Sequence, residues 1–346
     1  MIDWHKPAVY HDGRLIIREK LMQHRFIALI GLFIALTPLA AMADEAHFEV
    51  ELSLGALVGD STYEIGGTSL STRTGAQAYD FPCSRLEFPL NSVMVSGVAR
   101  LNLDEHVGVF ASLGANVLDN TPKMKDSDWL LPGSLDLYSE SDCDLRTLLA
   151  ESGLRYDFNK HTFGYVTDID SYHEANWRLS LSAGLKYQHF KYECDNLNQT
   201  SPSGRMANEV TGLHYVGWWP QTVVKYEIDY ELPYVKAGIQ TWNDHISCEA
   251  AAGWIPLALA NDRDEHLIRS KVSEGDTCGN GYLASFVVRV GLNEDWALRA
   301  LFDYTRILTD GTQRQMISGS SPEIIDIEQE ISSRQAYTGL SLVRTF

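Results

Sequence analysis

Two short acidic runs carry the residue types that could move a proton. Asn261–Lys271 reads N-D-R-D-E-H-L-I-R-S-K, and on an extended strand Asp262, Asp264 and His266 share one face. A carboxylate beside an imidazole orients it and favours its charged form, which suits a general base. The second run, Asp126-Ser127-Asp128-Trp129, sets two carboxylates at i and i+2, where they can share a proton. The four aspartates would also offer oxygen ligands to calcium, but no Gly-containing ligand loop accompanies them and no C-x-x-C points to zinc, so no metal is expected. Asp104-Glu105-His106 is a second D-E-H, in a stretch that reads as a turn. The tripeptide alone therefore says little, and on pattern alone these are as readily solvated rim residues. Their meaning rests on whether the fold brings the two runs together.

The elements available to do so alternate with period two. Val224, Tyr226, Ile228, Tyr230 and Leu232 oppose Lys225, Glu227, Asp229 and Glu231, and Trp177, Leu179, Leu181, Ala183 and Leu185 oppose Arg178, Ser180, Ser182, Gly184 and Lys186. The segments are long for globular strands. They fall near 47–65, 82–101, 107–125, 143–158, 176–193, 221–242, 247–262, 268–292, 296–309 and 330–346. Tight connections (Asp104–His106, Asn243–His245, Asn293–Asp295) alternate with long polar ones near 66–81, 194–220 and 309–330, and the chain ends in Phe346. The expectation is one all-β domain, a ten-stranded antiparallel transmembrane β-barrel with long extracellular loops and mostly short periplasmic turns. Aromatics at segment ends (Trp177, Tyr230, Tyr234, Trp296, Tyr304) suit an interfacial girdle, and Lys225, Glu227, Asp229, Arg289 and Arg299 are expected to point inward as ion pairs. The connection 159–175 is longer than a periplasmic turn requires. With the N-terminus in the periplasm, both acidic runs fall at the outer rim, on strands three and seven.

Composition narrows the partners. The formal net charge of −18 argues against nucleic acid and favours cationic ligands. Arg25, the apolar run after it and Ala41-Met42-Ala43 make a signal peptide over 22–43, with 1–21 an extension ahead of the expected start at Met22 and 44–346 the barrel. Export permits disulfides. Of the five cysteines, Cys83, Cys143, Cys194 and Cys278 fall toward the outer side and are expected to pair among themselves, leaving Cys248 free; four cysteines allow three connectivities.

Several pieces in chain order resemble the omptins, the family of outer-membrane aspartyl-type endopeptidases. They are Leu52-Ser53-Leu54-Gly55, Ser84-Arg85-Leu86-Glu87-Phe88, Asp126-x-Asp128-Trp129, Gly253-Trp254, Asp264-Glu265-His266, Arg269-Ser270-Lys271-Val272 and the terminal Thr345-Phe346. The resemblance implies a ten-stranded barrel whose outward cleft cuts peptides at Arg or Lys. Asp264 and His266 would activate a water, with Asp126 and Asp128 across the cleft. Asp262 would supply acidity for the basic residue before the cut; the second acid of that pocket aligns with Tyr63, next to Glu64, and the acid beyond the cut falls near Ser139 and Glu140. The resemblance also implies lipopolysaccharide on the outer wall as an activator, with no other cofactor. Lys191 would keep one basic position of that site, while two others align with Asp229 and Ser273. The competing readings are a non-proteolytic surface barrel, an adhesin or receptor, and a porin.

Overall fold

The computed structural model describes residues 47–71, 75–129, 134–168, 171–206, 216–317 and 324–346. The expected signal peptide over 22–43 and the stretch 1–21 lie outside the described residues. Every strand pairing is antiparallel, and the pairings close a ring of ten staves. The first is β1 (His47–Ser71). The second is interrupted, as β2 (Gly75–Pro89) and β3 (Ser92–Asn102), which pair with the far and near halves of β1. The third is likewise broken into β4 (Val107–Asp119) and β5 (Met124–Asp128). There follow β6 (Leu137–Asp157), β8 (Ser171–Thr200), β10 (Val224–Trp242), β11 (Ile246–His266), β12 (Lys271–Gly291), β13 (Trp296–Ile317) and β14 (Ile324–Thr345), which pairs back onto β1. The short β9 (Gly217–Trp219) pairs with the far end of β8. The connection 159–175 also acquires a structure: β7 (His161–Asp168) folds back on the first residues of β8 as a hairpin.

At the end that carries both termini of the barrel, three connections are Asx-type turns. Oδ1 of Asp104 accepts from the amides of His106 and Val107, Oδ1 of Asn243 from His245 and Ile246, and Oδ1 of Asn293 from Asp295 and Trp296. Asp104-Glu105-His106 is thus a turn former. Toward the opposite end β1, β8 and β13 run on through the stretches expected to be polar connections, so the staves themselves build that rim.

The near half of the barrel is apolar outside and charged inside. Leu52, Leu54, Leu181, Phe286, Phe302, Leu340 and Leu342 stand exposed on the outer wall, a belt larger than a water-soluble surface tolerates. Behind it, Glu51 lies between Arg100 (2.7 Å) and Arg299 (2.8 Å), Arg155 meets Glu249 (2.7 Å), Lys186 meets Asp303 (3.1 Å) and Arg289 meets Glu49 (2.6 Å). These side chains line a cavity of about 460 Å³.

In the far half the arrangement inverts. Tyr226, Ile228, Tyr230 and Leu232 of β10 are fully buried inside, packed with Phe88, Phe190 and Tyr192, and Phe88 stacks on Tyr226 at 4.2 Å. Lys225, Glu227 and Asp229 point outward instead of into the lumen, where Glu227 pairs with Lys191 and Asp229 with His189 (2.9 Å). Arg289 and Arg299 do face in. Likewise Tyr230 and Tyr234 are interior residues, bonded to Ser61 and Glu151, and form no girdle. The cause is solvent. The same even-numbered face of β10 points inward along its whole length, but beyond the apolar belt water rewards a charged outer wall and an apolar filling. The sequence shows this as a change of apolar phase at Pro233–Val235.

One cysteine pair is bonded, Cys143 on β6 to Cys194 on β8, directly opposite each other with Cα atoms 4.1 Å apart. Cys83, Cys248 and Cys278 are free. The expected second outer bridge is not made: β1, β14 and β13 stand between β2 and β12, and Cys278 is exposed on the outer surface. Closing a 51-residue separation, the bond should stabilise the barrel by about 2–4 kcal/mol. Cys143→Ser/Cys194→Ser should lower the denaturant midpoint accordingly, and an unchanged midpoint would show that the pairing adds nothing.

Candidate active site

A single irregularity aims the acidic run on β11. Between Ile255 and Ala258 the register slips by one residue against both β10 and β12. The bulge contains Pro256, whose missing N–H suits a break in the ladder. Before it, Ser247 and Glu249 face the lumen; after it, Ala258, Ala260, Asp262, Asp264 and His266 do. Without the extra residue Arg263 and Glu265 would point inward. They sit instead on the outer wall, Arg263 bridging Glu265 (2.7 Å) and Glu274 (2.5 Å).

The second wall comes from β5, held between Leu86 and Ser84 of β2 and Ser139 and Leu137 of β6. Asp126 and Asp128 both turn inward, 8 % and 7 % exposed. The amide of Trp129 donates to the Cys83 carbonyl (2.8 Å), and the guanidinium of Arg85 lies over the Trp129 ring at 5.6 Å. The two walls converge. Arg269, from the turn after β11, brings its Nη2 to 3.9 Å from Asp128 Oδ2, and the charge of Asp264 is felt at Asp126.

Within β11, His266 Nε2 lies 2.8 Å from Asp264 Oδ2, too oblique for a hydrogen bond. Both oxygens of Asp264, His266 Nε2 and Asp126 Oδ1 are buried and make no hydrogen bond among the described residues. Burial and the neighbouring Asp128 push the Asp126 carboxyl well above the usual range. Burial opposes ionisation of Asp264, but His266, Lys271 and Arg269 outweigh it and hold its carboxyl below the usual range. Burial also pulls His266 down, against the opposing pull of Asp264. Near neutral pH the dyad is therefore a carboxylate beside a neutral imidazole.

Below the dyad, Asp262 is fully buried and accepts from Gln329 Nε2 at 2.8 Å. Tyr63 is inward and buried, its hydroxyl donating to Gln313 Oε1 at 2.5 Å. Glu64 is not in this pocket. The one-residue alternation puts it on the outer wall, paired with Arg85 at 2.5 Å. The same alternation separates Ser139, which is inward opposite Asp126, from Glu140, which bonds Tyr138 at 2.8 Å. Ser273, which the omptin resemblance sets at a basic position of that family's lipid site, is buried inside. Arg269, Gln313, Gln329 and Tyr226 were not legible as site residues. Arg269 lay within a noted motif, while the other three required knowledge of which face turns in.

The class of the fold is the bacterial outer-membrane β-barrel. More particularly, the chain superposes on the outer membrane protease OmpT from Escherichia coli with a TM-score of 0.67, at 14 % identity, over 87 % of this chain and 97 % of that one. At that identity the likeness establishes the fold. The translocator domain of the autotransporter NalP from Neisseria meningitidis (9 % identity, 98 % and 100 % coverage) and OprG from Pseudomonas aeruginosa (10 %, 88 % and 97 %) overlap at a TM-score of only 0.32 each. No protein-family model and no curated relative matches the sequence.

Proposed function

We propose that the chain is an outer-membrane endopeptidase that cleaves cationic peptides or proteins at Lys or Arg, in a cleft facing the cell exterior. The observation that carries this reading is the buried Asp264–His266 contact on one wall with the inward Asp126 and Asp128 on the other, Asp264, His266 and Asp126 each keeping polar atoms without a hydrogen bond among the described residues. The fold shared with a protease supports it. In the proposed reaction, neutral His266 takes a proton from water as its oxygen attacks the scissile carbonyl carbon. The proton held by Asp126/Asp128 hydrogen-bonds the developing oxyanion. His266 then gives its proton to the leaving amine as the C–N bond breaks. Asp264 stabilises the imidazolium throughout, and no acyl-enzyme forms.

Asp262 supplies the pocket's negative charge for the basic residue. No acid faces in at Ser139, so a second basic residue beyond the cut is not required. Partners are cationic substrates and outer-membrane lipid, not nucleic acid. Lipopolysaccharide as an activator finds Lys191 already paired with Glu227, and Asp229 occupied by His189 and by Tyr187 (2.5 Å). These pairs favour activity that does not depend on it. A surface receptor without proteolysis is the second reading, supported by the Gln329 bond that already engages Asp262.

The test is hydrolysis of quenched fluorogenic peptides with one internal Lys or Arg by the purified full chain, with and without lipopolysaccharide. Equal cleavage in both conditions is the expected result. A folded barrel that cuts neither peptide in either condition overturns the protease reading in favour of the receptor.

A further inference from the structure

Five strands each send one polar side chain to a buried cluster beneath the dyad: Asp262 (β11), Gln329 (β14), Gln313 (β13), Tyr63 (β1) and Tyr226 (β10). None is more than 2 % exposed. Asp262 lies two positions below Asp264 on the same face, roughly 7 Å along the strand, about the reach of a long basic side chain. Three atoms of this group, Gln329 Oε1, Gln313 Nε2 and the Tyr226 hydroxyl, are buried and make no hydrogen bond among the described residues. Buried polar atoms left this way are costly unless something that enters satisfies them.

We propose that this pocket selects the ammonium of lysine over the guanidinium of arginine at the residue before the cut, and that Gln329 sets the choice. The inference rests on the endopeptidase reading and deepens it. A guanidinium is a planar fork that binds best when one carboxylate presents both oxygens side by side. Gln329 Nε2 already donates to Asp262 Oδ1, so one of the two oxygens of that bidentate seat is engaged by another donor. Its amide hydrogens also meet the fork donor to donor. An ammonium is a compact charge with three donors, and the pocket offers it the charge of Asp262 with Gln329 Oε1 and the Tyr226 oxygen as further acceptors.

Two neighbours keep the arrangement. Tyr63 stands where the omptin resemblance places a second acid, and its hydroxyl is turned to Gln313, so the pocket has one carboxylate for one charge. Gly275 pairs directly with Asp262 across β11 and β12. A Cβ there would lie 2.0 Å from Gln329 Oε1 and 2.5 Å from Asp262 Oδ1, so glycine is what lets the amide reach the carboxylate.

The experiment compares kcat/KM of the full chain on three peptides identical except for Lys, Arg or norleucine at the cleaved position. Lysine should exceed arginine by about tenfold or more, the factor that goes with one charge-assisted hydrogen bond, and norleucine should be cut least. Gln329→Glu, which adds a second carboxylate beside Asp262, should shift the ratio toward arginine. Should that variant fail to fold, the wild-type ratio still decides the selectivity. Arginine cut as well as lysine, or norleucine cut as well as either, overturns the proposal while leaving the protease intact. A ratio unmoved in a folded Gln329→Glu overturns the role of Gln329. Cleavage of none of the three by a folded barrel overturns the protease reading itself, and this proposal with it.

Discussion

His266→Ala should lower hydrolysis of a lysine-containing peptide by about 10²–10⁴-fold, the range for loss of a general base, while the barrel remains folded. His266 is at the far rim, two residues beyond Asp264 and remote from the ion pairs that fill the near half, so a folding defect is not the expected cause of the loss. Asp264→Asn separates orientation from electrostatics. In the native dyad burial pulls the imidazole down and Asp264 pulls it up, with burial winning. The acid limb of the pH–rate profile should therefore lie below the ordinary imidazole range. Removing the carboxylate charge leaves burial and the cations Lys271 and Arg269 unopposed, so the limb should move to still lower pH as kcat falls. A purely structural role for Asp264 would lower the rate without moving the limb. In the proposed reaction the alkaline limb belongs to a proton carried by Asp126, whose carboxyl burial and Asp128 hold above the usual range. Asp128→Asn removes the like charge that helps hold that proton on Asp126, and should draw the limb downward. Retention of full rate in His266→Ala would sink the dyad mechanism.

The closed barrel was legible because a span that is wet on one side and apolar on the other must alternate, and the alternation was long. The identity of the staves survived even where the second and third are interrupted, at Leu90–Asn91 and at 120–123, because their halves stay on the same neighbours. What alternation could not reveal is which solvent each half of a stave meets. Lys225, Glu227 and Asp229 read as lumen residues because the belt rule was carried past the end of the belt. On β10 the apolar face changes parity while the backbone does not. On β11 the backbone changes parity, at Pro256–Leu257, and Asp262, Asp264 and His266 face inward only because of that extra residue. The acidic runs were thus legible as chemistry and as two walls at one rim, while the bulge that turns the second run inward was not. Pocket partners such as Gln329 and Gln313 gave no signal at all, since a glutamine on a strand is ordinary until the carboxylate it faces is known.

Glu51→Gln should destabilise the barrel by about 3 kcal/mol, near the lower end for breaking a buried ion pair. Glu51 is 1 % exposed and is shared between Arg100 and Arg299, so its loss leaves two guanidinium groups facing one another inside a low-dielectric wall. The 460 Å³ cavity beside them has room for water to screen part of that repulsion, which is why the upper end of the range is not expected. The measurement is reversible denaturant unfolding in detergent micelles, followed by tryptophan fluorescence. Pairing the change with Arg299→Gln distinguishes the cause. If the penalty is stranded charge, the double variant should be more stable than Glu51→Gln alone, because one of the two uncompensated cations has gone. If the penalty is lost packing, the two changes should add. A Glu51→Gln barrel within about 0.5 kcal/mol of the parent would mean that the lumen network is solvated like a surface and carries no structural weight. Below its unfolding transition the variant should cleave peptide at the parental rate. The aromatic layer of Phe88, Phe190, Tyr192, Tyr226 and Tyr230 lies between the lumen pairs and the cleft, and a charge removed on one side of it is not felt as a displaced carboxylate on the other.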